Sequence, residues 1–551
     1  MEMTTMAWAN IDHAETPDEL RARCEAADLP SNFVELLERC ADDYGTTTVW
    51  RFFEHDGRWA TLNYQELRDA VFRLSSALTD FGIAPGDHVI LMANNRPEFP
   101  LIWLALGCIG AVMIPANIRY TSREIDYVFT DGDASFAIVD AEFVGIFANG
   151  ERASAIATPD KLLTIDAVDG FRSLGEIFDA ATTTRPPTEA LGRDTLVNIQ
   201  YTSGTTGFPK GCMLSHDYWI LMGFLGSRQL GVPISNVLVA QNFYYMDAQW
   251  LLVLTMQQGG TYFVAGRPSA RKFMGWVHEF DIHFCLMFEP IFKQPPSPLD
   301  APNPLRVINI FGLTPANHKI LESRFDVRAR EAFGMTEIAN ALYMPIQEEG
   351  MVGSGSCGIP TPFREAKVMA SIEREAEPNE IGELWVRGRS IMQGYYKKPE
   401  ANAELFQPGG WFRTGDRFLR DAAGYFYYKG RSKDMIRRNS ENVAAREVET
   451  VLRELSQVEE AAVVAVPDEL RGEEIKAYIK LRPGDASSDD ITSIVLDHCA
   501  AHLAKFKIPR YVGYVESFPM TASGRVEKKT LINGVEDLRV NSYDAQDRVW
   551  R

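Results

Sequence analysis

The sequence contains few residues suited to covalent cross-links or structural metal sites. Only seven of its 551 residues are cysteines, an odd number, and no two of them form a CxxC pair. This count and this spacing fit neither a disulfide framework nor a zinc site. We therefore expect reduced thiols, as in an intracellular protein.

Long apolar segments are also absent. The longest one, LIWLALGCIGAVMI, covers residues 101–114, whereas a helix that crosses a bilayer needs about 20 apolar residues. We expect this segment to form a buried core helix and no membrane span. The N-terminus lacks a basic stretch followed by an apolar one, so no secretory signal is expected. These absences predict a soluble, cytoplasmic protein.

Positive charge is in deficit. The 56 basic and 75 acidic residues give a formal net charge of -19. This balance excludes binding to nucleic acid or to an anionic membrane by bulk electrostatics, so a polyanion must bind at a local basic site. A hydrophobic content of 46% and a charged content of 24% are typical of a folded globular protein.

In the N-terminal part, helical patterns alternate with short apolar strands. Apolar residues recur at three- and four-residue spacing from Leu67 to Phe81, which predicts an amphipathic helix that ends at Gly82. A strand in GDHVILMANN follows, and a polar helix precedes another strand from Phe136 to Val139. This alternation predicts parallel sheets flanked by helices.

After about residue 380 the pattern becomes rich in strands, and beyond Arg431 helices and strands alternate again. The predicted fold class is therefore α/β. A large N-terminal domain (1–432) combines parallel sheets flanked by helices with a β-rich subdomain, and residues 433–551 form a small, mobile α+β C-terminal domain.

The most informative segment is YTSGTTGFPK at residues 201–210. Its glycines let backbone N–H groups approach phosphate oxygens, its hydroxyls donate hydrogen bonds to them, and Lys210 adds positive charge. It is not a P-loop, because Pro209 precedes the lysine and Gly211 follows it. The segment predicts a phosphate-binding loop of another kind.

Three further motifs follow in order: FGMTE at 333–337, WFRTGD at 411–416 and GRSKDMI at 430–436. With the loop, they resemble the adenylate-forming superfamily of acyl-CoA synthetases, adenylation domains and luciferases, from about residue 30 to 531. Within it, the chain most resembles the carnitine/crotonobetaine-type CoA ligases. The resemblance implies an ATP-dependent acid–CoA ligase that makes acyl-AMP and pyrophosphate, then acyl-CoA and AMP.

The resemblance also implies ATP, Mg²⁺ and CoA as cofactors, a small carboxylic acid as substrate, and no nucleic-acid partner. The implied nucleotide-binding residues are Thr202, Ser203, Gly204, Thr205, Thr206, Gly207, Lys210, Gly312, Glu331, Phe333, Gly334, Asp416 and Arg431. Phe333 would stack on adenine, and Asp416 would accept both ribose hydroxyls. Thr336 would donate to the α-phosphate, and Glu337 is a hard oxygen ligand suited to Mg²⁺.

Members of the superfamily rotate the small domain between the two half-reactions, and Lys433 occupies the hinge position. The following loop commonly carries two glycines where this chain has Asn439 and Ser440. Asparagine tolerates the left-handed region, so the loop can keep its shape. Arg437 and Arg438 beside it would meet the phosphates of CoA, or else form a solvated basic pair.

The lysine that catalyses adenylation in the superfamily follows a Ser-Gly pair near the C-terminus, where this chain has Arg525. Arginine does not replace lysine neutrally. Lys528 is the preferred candidate, with Arg525 next, and Lys529 stays open.

A third difference from the superfamily's usual motifs lies at residues 242–250, where Tyr245 takes the position of a histidine that is common in the superfamily. Tyr244, Tyr245, Asp247 and Trp250 are predicted to line the acyl pocket. Their aromatic rings and carboxylate favour a quaternary-ammonium acid. Alternatively, the aromatic residues belong to the core and Asp247 caps a helix that begins at Ala248.

Two other functions stay open. In the first, the enzyme transfers the acyl group to a carrier protein instead of free CoA. In the second, the protein is a sensor that binds nucleotide and acid without catalysing a reaction. His216, which follows the phosphate loop, is expected to be structural. The sequence leaves open the identity of the acid and the oligomeric state, a homodimer included.

Overall fold

The structure is a computed structural model that describes residues 15–202, 209–287, 289–311, 315–431, 435–439, 441–482, 488–519 and 526–551. The α-helices in these ranges are α1 (Pro17–Glu25), α2 (Phe33–Tyr44), α3 (Tyr64–Phe81), α4 (Glu98–Ile109), α5 (Ser122–Asp131), α6 (Val144–Ala148), α7 (Leu174–Ala180), α8 (His216–Gln229), α9 (Met246–Met256), α10 (Phe273–Glu279), α11 (Glu289–Phe292), α12 (Pro315–Phe325), α13 (Pro399–Leu405), α14 (Ala445–Arg453), α15 (Asp489–His502) and α16 (Lys528–Ile532).

In the same ranges the strands form three sheets. The first contains β3 (His88–Met92), β4 (Val112–Pro115), β5 (Phe136–Val139), β6 (Leu162–Thr164), β7 (Arg172–Ser173), β8 (Leu196–Thr202) and β9 (Lys210–Ser215). The second contains β1 (Thr48–Phe52), β2 (Thr61–Asn63), β10 (Asn236–Val239), β11 (Thr261–Val264), β12 (Phe284–Leu286), β13 (Val307–Ile310), β14 (Arg328–Met335), β15 (Ala339–Tyr343), β16 (Ser356–Pro360), β17 (Arg364–Met369), β18 (Gly382–Gly388), β19 (Phe406–Gln407), β20 (Trp411–Arg420) and β21 (Phe426–Arg431). The third contains β22 (Met435–Arg438), β23 (Glu441–Ala444), β24 (Val458–Asp468), β25 (Gly472–Leu481), β26 (Tyr511–Tyr514), β27 (Tyr543–Asp544) and β28 (Val549–Trp550).

The two N-terminal sheets have the predicted parallel character. Strands β3 to β8 pair in parallel in the order β7-β6-β5-β3-β4-β8, and β9 returns antiparallel to β8. The second sheet is parallel from β1 through β11, β10, β12 and β13 to β14, and antiparallel from β15 to β21. The predicted fold class, with its β-rich part after the parallel strands, is confirmed.

Helix α3 shows how local sequence sets the ends of these elements. The Asn63 side chain caps its N-terminus together with Glu66, a capping box. Gly82 ends the helix with a φ of 114°, a conformation that favours glycine. The buried face from Tyr64 to Phe81 packs into the largest core, as the apolar spacing predicted.

The prediction of one helix over residues 101–114 is wrong. Helix α4 ends at Ile109, Gly110 caps it with a φ of 84°, and strand β4 begins at Val112. Both elements are buried on all sides, so the apolar run continues across the turn and hides the boundary. No helix within the described ranges is both long and apolar enough to cross a membrane.

The seven cysteines all lie in the described ranges, where each is free and buried. The predicted reduced thiols therefore match the structure. Burial raises the pKa of Cys24 to about 11, which keeps this thiol protonated.

Helices α8 and α9 pack closely in the core, and α9 carries the predicted acyl-pocket residues. Their contact depends on Gly223, where an added Cβ would lie 2.6 Å from Val253 Cγ1 and 2.8 Å from the Leu254 nitrogen. The absence of a side chain at Gly223 thus sets the distance between the two helices.

Replacing Gly223 with alanine is expected to destabilise the protein by about 1–3 kcal/mol, because the methyl group would overlap the backbone of α9. Gly275→Ala in α10 is the matched control, since a Cβ there meets nothing within 4 Å. It is expected to be neutral or slightly stabilising. Urea unfolding would measure both, and equal free energies of unfolding for the two variants would contradict the packing argument.

Candidate active site

A single cleft of about 2090 Å³ brings the predicted site residues together from distant parts of the chain. The described nucleotide and catalytic candidates that line it are Thr202, Lys210, Glu331, Phe333, Gly334, Thr336, Glu337, Asp416 and Lys528. The acyl-pocket and CoA-path candidates that line it are Tyr244, Tyr245, Asp247, Trp250, Arg437, Arg438 and Asn439. Residues of both predicted domains therefore share one cavity.

Several predicted residues lie outside the described residues: Ser203, Gly204, Thr205, Thr206, Gly207, Gly312, Lys433, Ser440 and Arg525. The backbone of Arg431 lies in β21, but its side chain and that of Lys529 also lie outside the described part. The roles of these residues stay predictions.

The turn between β14 and β15 presents the second motif. Strand β14 carries Phe333 and Gly334, and Thr336 and Glu337 follow in the turn. An added Cβ at Gly334 would lie 2.5 Å from the Ala339 carbonyl oxygen, so the hairpin closes only around a glycine. This tight hairpin fixes both polar side chains at the cleft.

Glu337 is buried, and two neighbours hold it in place. Tyr395 Oη donates to Glu337 Oε1 at 2.6 Å, and the Met392 amide donates to the Glu337 carbonyl at 2.9 Å. Lys210 Nζ lies 5.0 Å from the centroid of the Tyr395 ring. An acid, a phenol and an ammonium group therefore meet at one point of the cleft.

Sequence reasoning missed Tyr395. The segment that carries it pairs with β9, because the Met213 amide donates to the Gly394 carbonyl and the Tyr396 amide to the Gly211 carbonyl, at 2.9 and 2.8 Å. In the sequence the segment reads as an ordinary extended stretch. Only its contact with the strand that begins at Lys210 shows its importance, and that contact is long-range.

Asp416 is fully buried on β20 and lies opposite Arg431 in the register with β21. Its amide donates to Thr414 Oγ1 at 3.1 Å, and Thr414 Oγ1 donates to the Leu384 carbonyl at 2.8 Å. The β20–β21 register is irregular between Asp416 and Phe418, and Asp416 lines the cleft at this point.

Phe333, the predicted adenine-stacking residue, lies beside two other rings. Its centroid is 4.8 Å from Phe418 in an edge-on arrangement and 6.2 Å from Tyr428, whose ring is inclined by only 27°. Tyr428 also lines the cleft and is 43% exposed. It is a second aromatic face that the motif-based prediction did not include.

The acyl-pocket candidates surround the start of α9. The rings of Tyr244 and Tyr245 lie 4.7 Å apart, and Asn117 Nδ2 donates to Tyr245 Oη at 3.2 Å. Thr336 Oγ1 lies 3.4 Å from Met246 Sδ. The second motif and the acyl pocket are therefore adjacent.

Asp247 does not cap a helix that begins at Ala248, so that part of the alternative is wrong, whereas Tyr244 and Trp250 do belong to the buried core, with Tyr245 packed against it. Helix α9 begins at Met246, and its N-cap residue, Tyr245, makes no capping hydrogen bond through its side chain. Burial raises the pKa of Asp247, while the charge of Arg437 and a hydrogen bond from Trp250 act in the opposite direction. Asp247 is thus a partly desolvated carboxylate that lines the cleft.

The hairpin of β22 and β23 forms the C-terminal side of the cleft. Asn439 has a φ of 56°, so it takes the left-handed conformation of the glycine usual at this position. Arg438 Nε lies 2.7 Å from Glu474 Oε2, and Arg438 Nη1 donates to the Phe506 carbonyl. Arg437 is exposed and is therefore the arginine of this pair that faces the open cleft.

Lys528 and His216 each contact a side chain of their own domain. Lys528 Nζ lies 2.6 Å from Glu449 Oε1, on α14 of the same domain. His216 is buried, with its ring 4.8 Å from Phe33, and burial lowers its pKa to about 3. A neutral histidine inside the core matches the predicted structural role.

Comparison with known families and proteins agrees with this geometry. Residues 37–396 match the AMP-binding enzyme family, and residues 447–525 match the AMP-binding enzyme C-terminal domain. A crotonobetaine/carnitine–CoA ligase of Salmonella paratyphi A is 28% identical over 515 residues, which covers 91% of this chain and 98% of the relative.

Solved structures show the same fold. The o-succinylbenzoate CoA synthetase of Bacillus subtilis, a double mutant bound to a product analogue, has a TM-score of 0.79 at 23% identity and covers 92% of this chain and 98% of its own. ATP-bound MatB of Rhodopseudomonas palustris has a TM-score of 0.65 at 25% identity and covers 91% of this chain and 98% of its own.

Replacing Tyr395 with phenylalanine is expected to slow acid-dependent exchange of pyrophosphate into ATP by about tenfold to a hundredfold, because a hydrogen bond to a buried carboxylate contributes about 1.5–3 kcal/mol. Tyr396→Phe is the matched control, since Tyr396 Oη donates to the exposed Asp133. Equal exchange rates in the two variants would show that Tyr395 does not hold Glu337 for the reaction.

Proposed function

The chain belongs to the AMP-binding enzyme family as an AMP-forming acid–CoA ligase, and we propose that its acid is a small carboxylate with a cationic head group. The observation that supports this function is the shared cleft. It places the β14–β15 turn, Lys210 and Asp416 beside an aromatic pocket that contains a carboxylate.

In the first half-reaction, the carboxylate attacks the α-phosphorus of ATP, and pyrophosphate leaves. Both reactants are anions, so the site must neutralise charge and hold them in line. Lys210 supplies a cation at the end of the phosphate loop, and Thr336 donates to the α-phosphate. Glu337, a buried carboxylate held at one oxygen by Tyr395, would hold Mg²⁺, which would supply positive charge to neutralise the phosphates.

The nucleoside part of ATP fits the other end of the cleft. Phe333 and Tyr428 offer aromatic faces to adenine, and Glu331, which lines the same cleft, would accept a hydrogen bond from its amino group. Asp416 accepts the ribose hydroxyls, since an ionised carboxylate can only accept hydrogen bonds.

In the second half-reaction, the thiolate of CoA attacks the acyl-adenylate, and AMP leaves. We assign the domain orientation of this structure to this step. The β22–β23 hairpin lines the cleft, whereas Lys528 is bound to Glu449 in its own domain. Rotation about Lys433 would exchange the hairpin for Lys528 or Arg525 during adenylation. Arg437 faces the open cleft, where it would meet the phosphates of CoA.

A cationic head group fits the acyl pocket for two reasons. Tyr244, Tyr245 and Trp250 provide aromatic faces that attract a quaternary ammonium ion, and Asp247 supplies a partly desolvated negative charge. The relative that covers 91% of the chain carries the name of a ligase for crotonobetaine and carnitine. Together these observations favour a trimethylammonium acid over an aliphatic or aromatic one.

The test compares a trimethylammonium acid with its neutral tert-butyl isostere of equal chain length. For wild type, we expect release of AMP that requires both the cationic acid and free CoA. Asp247→Asn should lower kcat/KM for the cationic acid at least about tenfold and leave the isostere within about twofold. Equal effects on the two acids would contradict the proposed role of Asp247.

The pH dependence of the preference for the cationic acid provides a second test of its contact with Asp247. Because burial raises the pKa of Asp247, the attractive charge is present above this raised pKa and is lost as the pH falls through it. Wild type should therefore lose its preference for the cationic acid at low pH, whereas Asp247→Asn should show no such loss.

AMP release that needs a phosphopantetheinyl carrier protein instead of CoA would favour the carrier-loading function. ATP binding without acid-dependent exchange would favour a sensor.

The adenylation lysine is tested by pyrophosphate exchange alone, which excludes effects on the CoA step. We expect Lys528→Ala to slow exchange by more than about tenfold, equivalent to about 1.4 kcal/mol of barrier. Arg525→Ala and Lys529→Ala are measured beside it. If neither Lys528→Ala nor Arg525→Ala reaches this threshold, neither side chain neutralises the reacting anions.

A further inference from the structure

One buried ion-pair cluster crosses the boundary between the two domains. Lys507 Nζ lies 2.7 Å from Glu124 Oε1 on α5 of the N-terminal domain and 2.7 Å from Glu447 Oε1 on α14 of the C-terminal domain. Lys507 and Glu447 are each 3% exposed. We call these three residues the Lys507 bridge.

The bridge is desolvated and electrostatically coupled. Burial alone would lower the pKa of Lys507, but the charges of Glu447 and Glu124 raise it. Burial raises the pKa of Glu447, and the charge of Lys507 opposes this shift. Removing one partner from such a cluster leaves an uncompensated charge inside the protein, which is strongly unfavourable.

Only one bond of the bridge depends on the domain orientation. Glu447 and Lys507 belong to the same domain and stay together when that domain rotates. Glu124 belongs to the other domain, and its second oxygen is engaged locally, because Oε2 accepts from the Thr121 amide at 2.9 Å in a capping box. Rotation of the C-terminal domain would therefore separate Lys507 from Glu124. The capping box of α5 and the Lys507–Glu447 pair would both stay intact.

Neighbouring contacts at the same boundary are more exposed. Arg119 Nη1 lies 3.3 Å from Glu441 Oε1, and Arg123 Nη1 lies 2.7 Å from Glu454 Oε2. Exposed pairs of this kind contribute little, since water screens them. Among the described ion pairs at this boundary, the Lys507–Glu124 pair is therefore the one whose loss on rotation would change the free energy most.

We propose that Lys507 and Glu124 are positioning residues that select the domain orientation in which the thiol attacks the acyl-adenylate. The inference rests on the proposed function, because the orientation is assigned to the CoA step. Glu124 does not line the cleft, and Lys507, which does, has its ammonium group held by the two carboxylates. Their bond lowers the free energy of one orientation, so that the β22–β23 hairpin stays at the cleft during thiol transfer.

Glu124→Gln is the sharpest variant, because glutamine also serves in a capping box and removes only the charge that faces Lys507. We expect CoA-dependent conversion of preformed acyl-adenylate to slow by about tenfold to a hundredfold, the range of a hydrogen bond between charged groups. Acid-dependent pyrophosphate exchange should be unchanged or faster. Lys507→Met should give the same split.

Glu176→Gln is the matched control, since Glu176 forms an equivalent capping box with Ser173 on α7 and forms no ion pair with a lysine among the described residues. It should leave both half-reactions unchanged. Equal slowing of both half-reactions by Glu124→Gln, or no slowing of either, would overturn the proposal.

A distance measurement tests the orientation without the reaction. The native cysteines are buried, so spin labels can be attached selectively to Asp160→Cys and Asp497→Cys, two exposed sites on different domains. Glu124→Gln should change the distribution of label distances, whereas Glu176→Gln should not. An unchanged distribution would overturn the proposal. If wild type shows no pyrophosphate exchange, the proposed function fails, and this measurement still decides the positioning role.

Discussion

Two anions must approach each other in this cleft inside a protein that is itself strongly acidic. With a formal net charge of -19, the chain cannot attract ATP by its overall field, and it concentrates positive charge locally. The contact among Lys210, Tyr395 and Glu337 is the centre of this arrangement. The phenol orients the carboxylate and its aromatic face lies beside the ammonium group. Glu337 and Tyr395 are both buried, which strengthens the hydrogen bond between them.

The fold explains why these residues meet although they are far apart in sequence. Parallel strands deliver their carboxyl ends to one edge of a sheet, and the crevice outside that edge is where ligands bind in α/β folds. The first sheet contributes Thr202 at the end of β8 and Lys210 at the start of β9, which flank the predicted phosphate loop. The second contributes the β14–β15 turn just where its parallel half becomes antiparallel. The C-terminal domain then closes the same crevice from the other side.

Much of the fold and part of the site could be predicted from the sequence. Helix α3 has clear periodicity, and β3 and β5 stand out as short apolar segments. The motifs at 201–210, 333–337 and 411–416 are contiguous, so their chemistry can be recognised without the structure. Tyr395, Tyr428 and the Lys507 bridge were not predictable in this way, because their importance lies in contacts with distant segments. The boundary inside residues 101–114 was missed since α4 and β4 are both buried on all sides, which removes the periodicity that separates helix from strand.

The capping box at the start of α5 has the same pattern as those at the starts of α3 and α7. In a sequence it reads as a signal for folding and nothing more. At α5 alone among these three, one oxygen of the glutamate completes the helix start while the other reaches a lysine of the next domain. Tolerance to mutation should therefore differ among three helix starts that share the capping-box pattern. Glutamine is an adequate substitute where only the helix depends on the glutamate, and a poorer one where a lysine of the other domain also binds it.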